Sequence, residues 1–119
     1  MKSLTRAVGA GVLLLGLASA LAHPTVVGST PKNGEALASP PHEIRILFSE
    51  PIESAFTHVK VIDGAGKTIR SEPARPDPTD AKAVVVEVPA LAAGAYKVQW
   101  SALSRDGHRV KGEIAFSVK

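Results

Sequence analysis

Hydrophobic and polar residues alternate with a period of two along most of the chain after residue 23. In the segment "HEIRILFSE", Ile44, Ile46 and Phe48 alternate with Glu43 and Arg45. Successive side chains of a β-strand point to opposite faces of the sheet, so this pattern predicts a strand with one buried face. The same alternation predicts four later strands, in the segments "THVKVID", "AVVVEVPA", "AYKVQWSA" and "GEIAFSVK".

Sequences typical of turns and loops separate these segments. "DGAGK" and "LAAGA" are short and glycine-containing, whereas "TPKNGEALASPPH" and "SEPARPDPTDAK" are predicted as longer loops. A first strand around residues 25–29 and a short one near 67–69 bring the total to about seven. No segment after residue 23 has the 3.6-residue period of a helix. We therefore predict an all-β fold, a Greek-key β-sandwich of antiparallel strands that is Ig-like in architecture but lacks the cysteine framework of antibody domains.

The first 22 residues have the pattern of a secretory signal peptide. Two basic residues precede the apolar run "AVGAGVLLLGLASALA", which ends in a small-x-small tripeptide at residues 20–22. The run is shorter than the ~20 apolar residues that span a bilayer, which disfavours a retained membrane anchor. We predict an exported, periplasmic protein with a signal peptide at 1–22 and a single mature domain at 23–119 that begins with His23. Cleavage after Ala20 also fits the pattern and would leave two residues before the histidine.

Export also changes the charge of the protein. Removal of residues 1–22 takes away two of the 14 basic residues, so 12 basic residues face 11 acidic ones and the formal charge falls from +3 to +1. No basic stripe with interleaved aromatic residues is present, so the sequence gives no support to nucleic-acid binding. The chain has no cysteine, which excludes a thiolate site and leaves a packed core as the source of stability.

A histidine at the mature N-terminus is a candidate metal ligand. Its α-amine and its imidazole can bind one ion together, and such groups have ordinary pKa values of about 8 and 6.5, so a divalent metal displaces their protons at little cost. Pro24 follows His23 and has no backbone N–H that a metal could replace. His23 therefore supplies two nitrogens, and further ligands must come from elsewhere in the chain.

The segment "SRDGHRV" contains candidates for those ligands. Asp106 and His108 are two residues apart, so in an extended segment both side chains would lie on the same face. Alone, this spacing is a weak signal, because an aspartate beside a surface histidine is common. Together with His23, the pair would give a set of three nitrogens and one oxygen. A tetragonal set of this kind favours Cu(II), with zinc as the main rival.

The segments "HPTVVGSTPKNGEAL", "ILFSEPIE" and "AGAYKVQWSALSRDGHRVKGEIAFSV" resemble the CopC family of periplasmic copper-binding proteins, in order and over essentially the whole mature chain. The resemblance implies a cupredoxin-like sandwich with one Cu(II) ion, bound by the residues that are here His23, Asp106 and His108. It also implies that Glu50, in the F-S-E motif, is a weak ligand or a hydrogen-bond partner of the site. Some members carry a Cu(I) site of methionines, but the one methionine here is the initiator, so only Cu(II) is expected.

Three functions are open at this point. The first is a copper carrier or buffer in copper resistance or homeostasis, since members of the family are often encoded beside, or fused to, a CopD-type inner-membrane transporter. The second is a histidine-brace copper monooxygenase, which the carboxylate ligand disfavours because it fills the position that oxygen would take. The third is an interaction domain without a metal. We expect a copper-binding protein without catalytic residues, whose mature domain is not embedded in the membrane.

Overall fold

The computed structural model describes Ser3 and residues 23–119, so the predicted signal peptide lies outside the described residues apart from Ser3. The division of the chain after residue 22 stays a prediction. Described residues form nine strands and one short 3₁₀ helix at Ser54–Phe56. The strands are β1 (Val26–Thr30), β2 (Glu35–Leu37), β3 (Glu43–Phe48), β4 (His58–Asp63), β5 (Thr68–Pro73), β6 (Arg75–Asp77), β7 (Asp80–Glu87), β8 (Gly94–Leu103) and β9 (Arg109–Val118).

These strands form two sheets, which confirms the predicted β-sandwich. One sheet has the order β1-β3-β7-β6 and the other the order β2-β9-β8-β4-β5. The expectation of a purely antiparallel fold is wrong in one place, because β2 pairs in parallel with β9. No described helix is long and apolar enough to cross a lipid bilayer.

The prediction of about seven strands missed two of the nine in the described residues. Strands β2 and β6 lie in segments predicted as loops, and each has only three residues. Three residues are too few to show a period of two, and β6 contains Pro76, which is tolerated at the edge of a sheet. Both strands form because longer neighbours, β9 and β7, offer free backbone groups for pairing.

The core lies between the two sheets and contains most of the residues that the alternation predicted to be buried, together with Ile52, Ala74, Leu91 and Ala102, which it did not predict. Tyr96 stacks on Phe116 with ring centroids 5.4 Å apart, and Trp100 meets Phe48 edge to face at 5.1 Å. Gly112 faces the indole of Trp100, and a Cβ atom on it would lie 2.4 Å from Trp100 Cζ2. The absence of a side chain at this position therefore makes room for the indole.

Two pairings bring the start of β1 and the turn between β8 and β9 to the same end of the sandwich. Val26 pairs with Phe48, which places the beginning of β1 beside the end of β3. The chain after β3 then returns to the other sheet, where Ile52 forms an antiparallel bridge with Ser104. Ser104 immediately follows β8, so residues before β1 are held close to the β8–β9 turn.

Candidate metal centre

Residues 104–108 form a tight turn between β8 and β9. The Ser104 N–H donates to the His108 carbonyl oxygen at 2.9 Å, and the Gly107 N–H donates to the Ser104 carbonyl oxygen at 3.0 Å. Gly107 has a φ of +93°, a region that favours glycine because other residues are strained there. The segment is therefore a turn rather than extended, and it is the turn that brings Asp106 and His108 together.

The hydroxyl of Ser104 connects both candidate ligands. It donates a hydrogen bond to Asp106 Oδ1 and accepts one from the His108 backbone N–H at 3.0 Å. Ser104 is almost completely buried, with 1% of its surface exposed. Because a buried side chain has little freedom, Ser104 fixes the positions of the aspartate and the histidine relative to each other.

The Asp106 carboxylate and the His108 imidazole face each other across a short gap. Asp106 Oδ1 lies 3.2 Å from His108 Nδ1, yet Nδ1 is buried and has no hydrogen-bond partner within the described chain. The Ser104 hydroxyl lowers the pKa of Asp106 below its ordinary value, and attraction from His108 adds to this against the effect of desolvation. The site therefore presents a charged carboxylate beside an imidazole nitrogen that lacks a partner.

His23 lies against His108 because the segment that follows it is fixed at two points. Pro24 is buried, and Thr25 exchanges two hydrogen bonds with Ser49: the Thr25 N–H donates to Ser49 Oγ at 2.9 Å and the Ser49 N–H to the Thr25 carbonyl oxygen at 2.8 Å. The centroids of the two imidazole rings are 5.3 Å apart at an angle of 77°. The fold thus places His23 beside His108 and His108 beside Asp106, and we call these three residues the cluster.

Among the described residues, no three histidine, aspartate or glutamate side chains are already spaced as the ligands of one metal ion would be. The cluster consists of pairwise contacts, His23 with His108 and His108 with Asp106. In the chain that retains residues 1–22, the backbone nitrogen of His23 is an amide joined to Ala22. One of the four donors predicted from the sequence therefore exists only after cleavage, so this chain does not contain the complete set.

Glu50 and Ser49 belong to the same F-S-E motif but differ in their relation to the cluster. Glu50 is half-buried, and within residues 23–119 no hydrogen bond or ion pair of its side chain is observed, so its role stays a prediction. Ser49, which the sequence reasoning missed, holds the segment next to His23. In the sequence, Ser49 is visible only as a serine just after a predicted strand. Its role could not be predicted, because its partner Thr25 is 24 residues away.

A family model described as the CopC domain matches residues 26–119. The chain belongs to the CopC family. The match includes Asp106, His108 and Glu50, whereas His23 lies just before its first residue. The predicted resemblance is confirmed, and the family accounts for the whole described sandwich.

Two relatives and one solved structure illustrate the likeness. "Copper resistance protein C" of Pseudomonas syringae pv. tomato is 38% identical over 92% of this chain and 90% of its own length. "Copper transport protein CutJ" of Bacillus subtilis is 31% identical over 84% of this chain but only 19% of its own length. The crystal structure of CopC from Methylosinus trichosporium OB3b superposes with a TM-score of 0.78 at 28% identity, covering 82% of this chain and 94% of the other.

Proposed function

We propose that the mature protein, residues 23–119, binds one Cu(II) ion at the cluster of His23, Asp106 and His108 and serves as a carrier or buffer in copper resistance. The observation that carries this proposal is His108 Nδ1, which is buried without a partner 3.2 Å from Asp106 Oδ1. A buried polar atom without a partner costs free energy, and a bound cation removes that cost. Membership of the CopC family, with a relative named for copper resistance, supports the same metal.

The proposed donor set has three nitrogens and one oxygen. After signal-peptide cleavage, His23 supplies its α-amine and its imidazole, while His108 supplies a second imidazole and Asp106 a carboxylate. Nitrogen and oxygen donors in a tetragonal arrangement suit Cu(II), which also has the highest affinity among the divalent first-row metals. Glu50, half-buried after β3, is proposed as an outer partner of the site rather than as one of the four donors.

Cu(I) is not expected to compete at this cluster. Soft thioether and thiolate ligands select Cu(I), and the sequence has no cysteine and a single methionine at position 1. Imidazole and carboxylate also suit zinc, so zinc is the competitor that the binding experiment must include.

We propose binding and transfer rather than oxygen chemistry. In the proposed set Asp106 occupies a position around the metal that a monooxygenase would keep open for oxygen. The relative CutJ, named a copper transport protein, is about five times longer than the part this chain matches. That name supports a role in copper transport, and we propose that the domain, in the periplasm, exchanges copper with a CopD-type membrane transporter.

Copper titration of residues 23–119 tests the proposal. Trp100 is the only tryptophan of the chain, so its fluorescence reports binding, while electron paramagnetic resonance reports the ligands. We expect one equivalent of Cu(II) with a tetragonal spectrum that excess zinc does not displace. His108→Ala should abolish this binding, and His42→Ala, which changes an exposed histidine elsewhere, should leave it intact. Binding that survives His108→Ala, or no binding by the unaltered domain, would contradict the proposal.

A further inference from the structure

The outer face of the five-stranded sheet carries an excess of positive charge. Side chains at alternate positions of β4, β8 and β9 point away from the core, and the charged ones among them are Lys60, Lys97, Arg109, Lys111 and Glu113. Four cations and one carboxylate give the outward side chains of these three strands a net charge of +3, whereas the whole of residues 23–119 carries +1. The rest of the mature surface is therefore net negative. We call Lys60, Lys97, Arg109 and Lys111 the basic face.

Most of these cations have no carboxylate beside them. Lys97 Nζ lies 3.8 Å from Glu113 Oε1, but Lys60, Arg109 and Lys111 form no ion pair with any described residue. On the other sheet the arginines are paired: Arg45 with Asp77 at 2.8 Å, and Arg75 with Glu87 at 3.0 Å. These arginines of the four-stranded sheet are thus compensated, whereas, among the described residues, three of the four cations of the basic face are not.

An open groove of about 550 Å³ lies between two of the lysines of the basic face, Lys60 on β4 and Lys111 on β9, and one carboxylate, that of Glu113, also lines it. Strand pairing fixes its width, because Lys60 lies opposite Gln99 and Lys111 opposite Ser101 on the intervening strand β8. A concave site with a cation on each side fits an extended anionic chain better than it fits a flat lipid surface.

Arg109 connects the basic face to the candidate metal centre. It directly follows His108, and its guanidinium donates to Ser101 Oγ at 2.8 Å and to the Phe56 carbonyl oxygen at 3.1 Å. The Phe56 side chain is 63% exposed and offers an apolar contact at the edge of this surface. Arg109 therefore places the β9 end of the basic face one residue from His108 in the chain.

We propose that the basic face docks an acidic segment of the protein that exchanges copper with this domain. The proposal rests on the proposed function, since it identifies the chemistry of the partner for the same site. Complementary charge accelerates the encounter of two proteins and fixes their orientation. Docking on the basic face would bring the partner's own copper ligands beside His108.

A synthetic octaglutamate peptide, titrated into ¹⁵N-labelled residues 23–119, probes this surface. We expect chemical-shift changes on the outer face of β4, β8 and β9. Lys60→Glu/Lys111→Glu should weaken binding about tenfold at physiological salt, since charge reversal replaces attraction by repulsion. Lys32→Glu/Lys82→Glu makes the same change of net charge at exposed lysines away from the groove and should weaken binding only about twofold, because salt screens distant charges.

Equal weakening in both double variants, or shifts spread over the whole domain, would overturn the proposal. It would also be overturned if vesicles containing anionic phospholipid, rather than the peptide, bound through Lys60 and Lys111. Copper titration of each variant separates this proposal from the proposed function. Lys60→Glu/Lys111→Glu should retain its Cu(II) affinity, whereas failure of the unaltered domain to bind Cu(II) would refute copper binding independently of the peptide result.

Discussion

Replacement of Ser104 by alanine removes one hydroxyl that serves two partners of the candidate metal centre. The His108 N–H loses its acceptor at 3.0 Å, in a place where Ser104 itself is 1% exposed. An unsatisfied buried N–H costs about 1–3 kcal/mol. For a domain of this size, 1 kcal/mol corresponds to about 4–8 °C in Tm, so we expect Ser104→Ala to lower Tm by roughly 10 °C.

The same substitution has a second effect that a purely structural role would not produce. The Ser104 hydroxyl is the main cause of the lowered pKa of Asp106, so this pKa should rise toward its ordinary value in Ser104→Ala. A carboxyl group with a lowered folded-state pKa stabilises the fold above its ordinary pKa and loses this effect as pH falls through the lower value. The difference in stability between the two proteins should therefore shrink below about pH 4.

Thermal unfolding followed by circular dichroism, and NMR titration of the Asp106 carboxyl group, measure these two effects. Ser101→Ala is the matched control, because within residues 23–119 the hydrogen bond that the Ser101 hydroxyl makes is one accepted from the exposed Arg109 side chain. We expect it to change the free energy of unfolding by less than about 0.5 kcal/mol. Equal losses of Tm in the two variants, or an unchanged pKa of Asp106 in Ser104→Ala, would refute the reasoning.

Three further predictions concern the site, the core and the four-stranded sheet. Asp106→Asn should weaken Cu(II) binding at least about tenfold while the metal-free protein remains folded, since a neutral amide is a poorer ligand; an unchanged Kd by competition titration would exclude Asp106 as a ligand. Gly112→Ala should destabilise the domain by about 1–3 kcal/mol through overpacking, because its Cβ would lie 2.4 Å from Trp100 Cζ2; urea unfolding with an unchanged midpoint would contradict this. Hydrogen bonds from Arg45 and Thr79 lower the pKa of Asp77 to about 2. The free energy of unfolding of the unaltered protein should therefore exceed that of Asp77→Asn above about pH 4, and this difference should disappear as pH falls toward 2. A difference that is constant over this range would argue against the ion pair.

The sandwich could be predicted from the sequence because burial of one face imposes a period of two on each long strand. Ile44, Ile46 and Phe48 are each 1% exposed, as their alternation implied. Strands β2 and β6 could not be predicted, since three residues carry no period and their pairing depends on neighbours distant in the chain. The parallel contact of β2 with β9 is likewise a property of the tertiary fold.

The sequence singled out three residues that the fold brings into pairwise contact, but it did not indicate the geometry of those contacts. The spacing of Asp106 and His108 indicated a pair, yet the turn at Gly107, rather than an extended segment, brings them together. Contact of His23 with His108 depends on the bonds between Thr25 and Ser49, and no local pattern contains that information. The basic face depends in the same way on strand register, which places Lys60 opposite Gln99 and Lys111 opposite Ser101.

The central claim is that the copper site includes the free α-amine of His23, and adding a single glycine before this residue tests it most directly. The added residue turns the α-amine of His23 into an amide and moves the new amine away from the imidazole, while the cluster with Asp106 and His108 is unchanged. We predict that residues 23–119 bind one Cu(II) ion at least about 100-fold more tightly than the extended protein, because an amine ligand in a chelate ring is lost. Equal Cu(II) affinity for the two proteins would contradict the account.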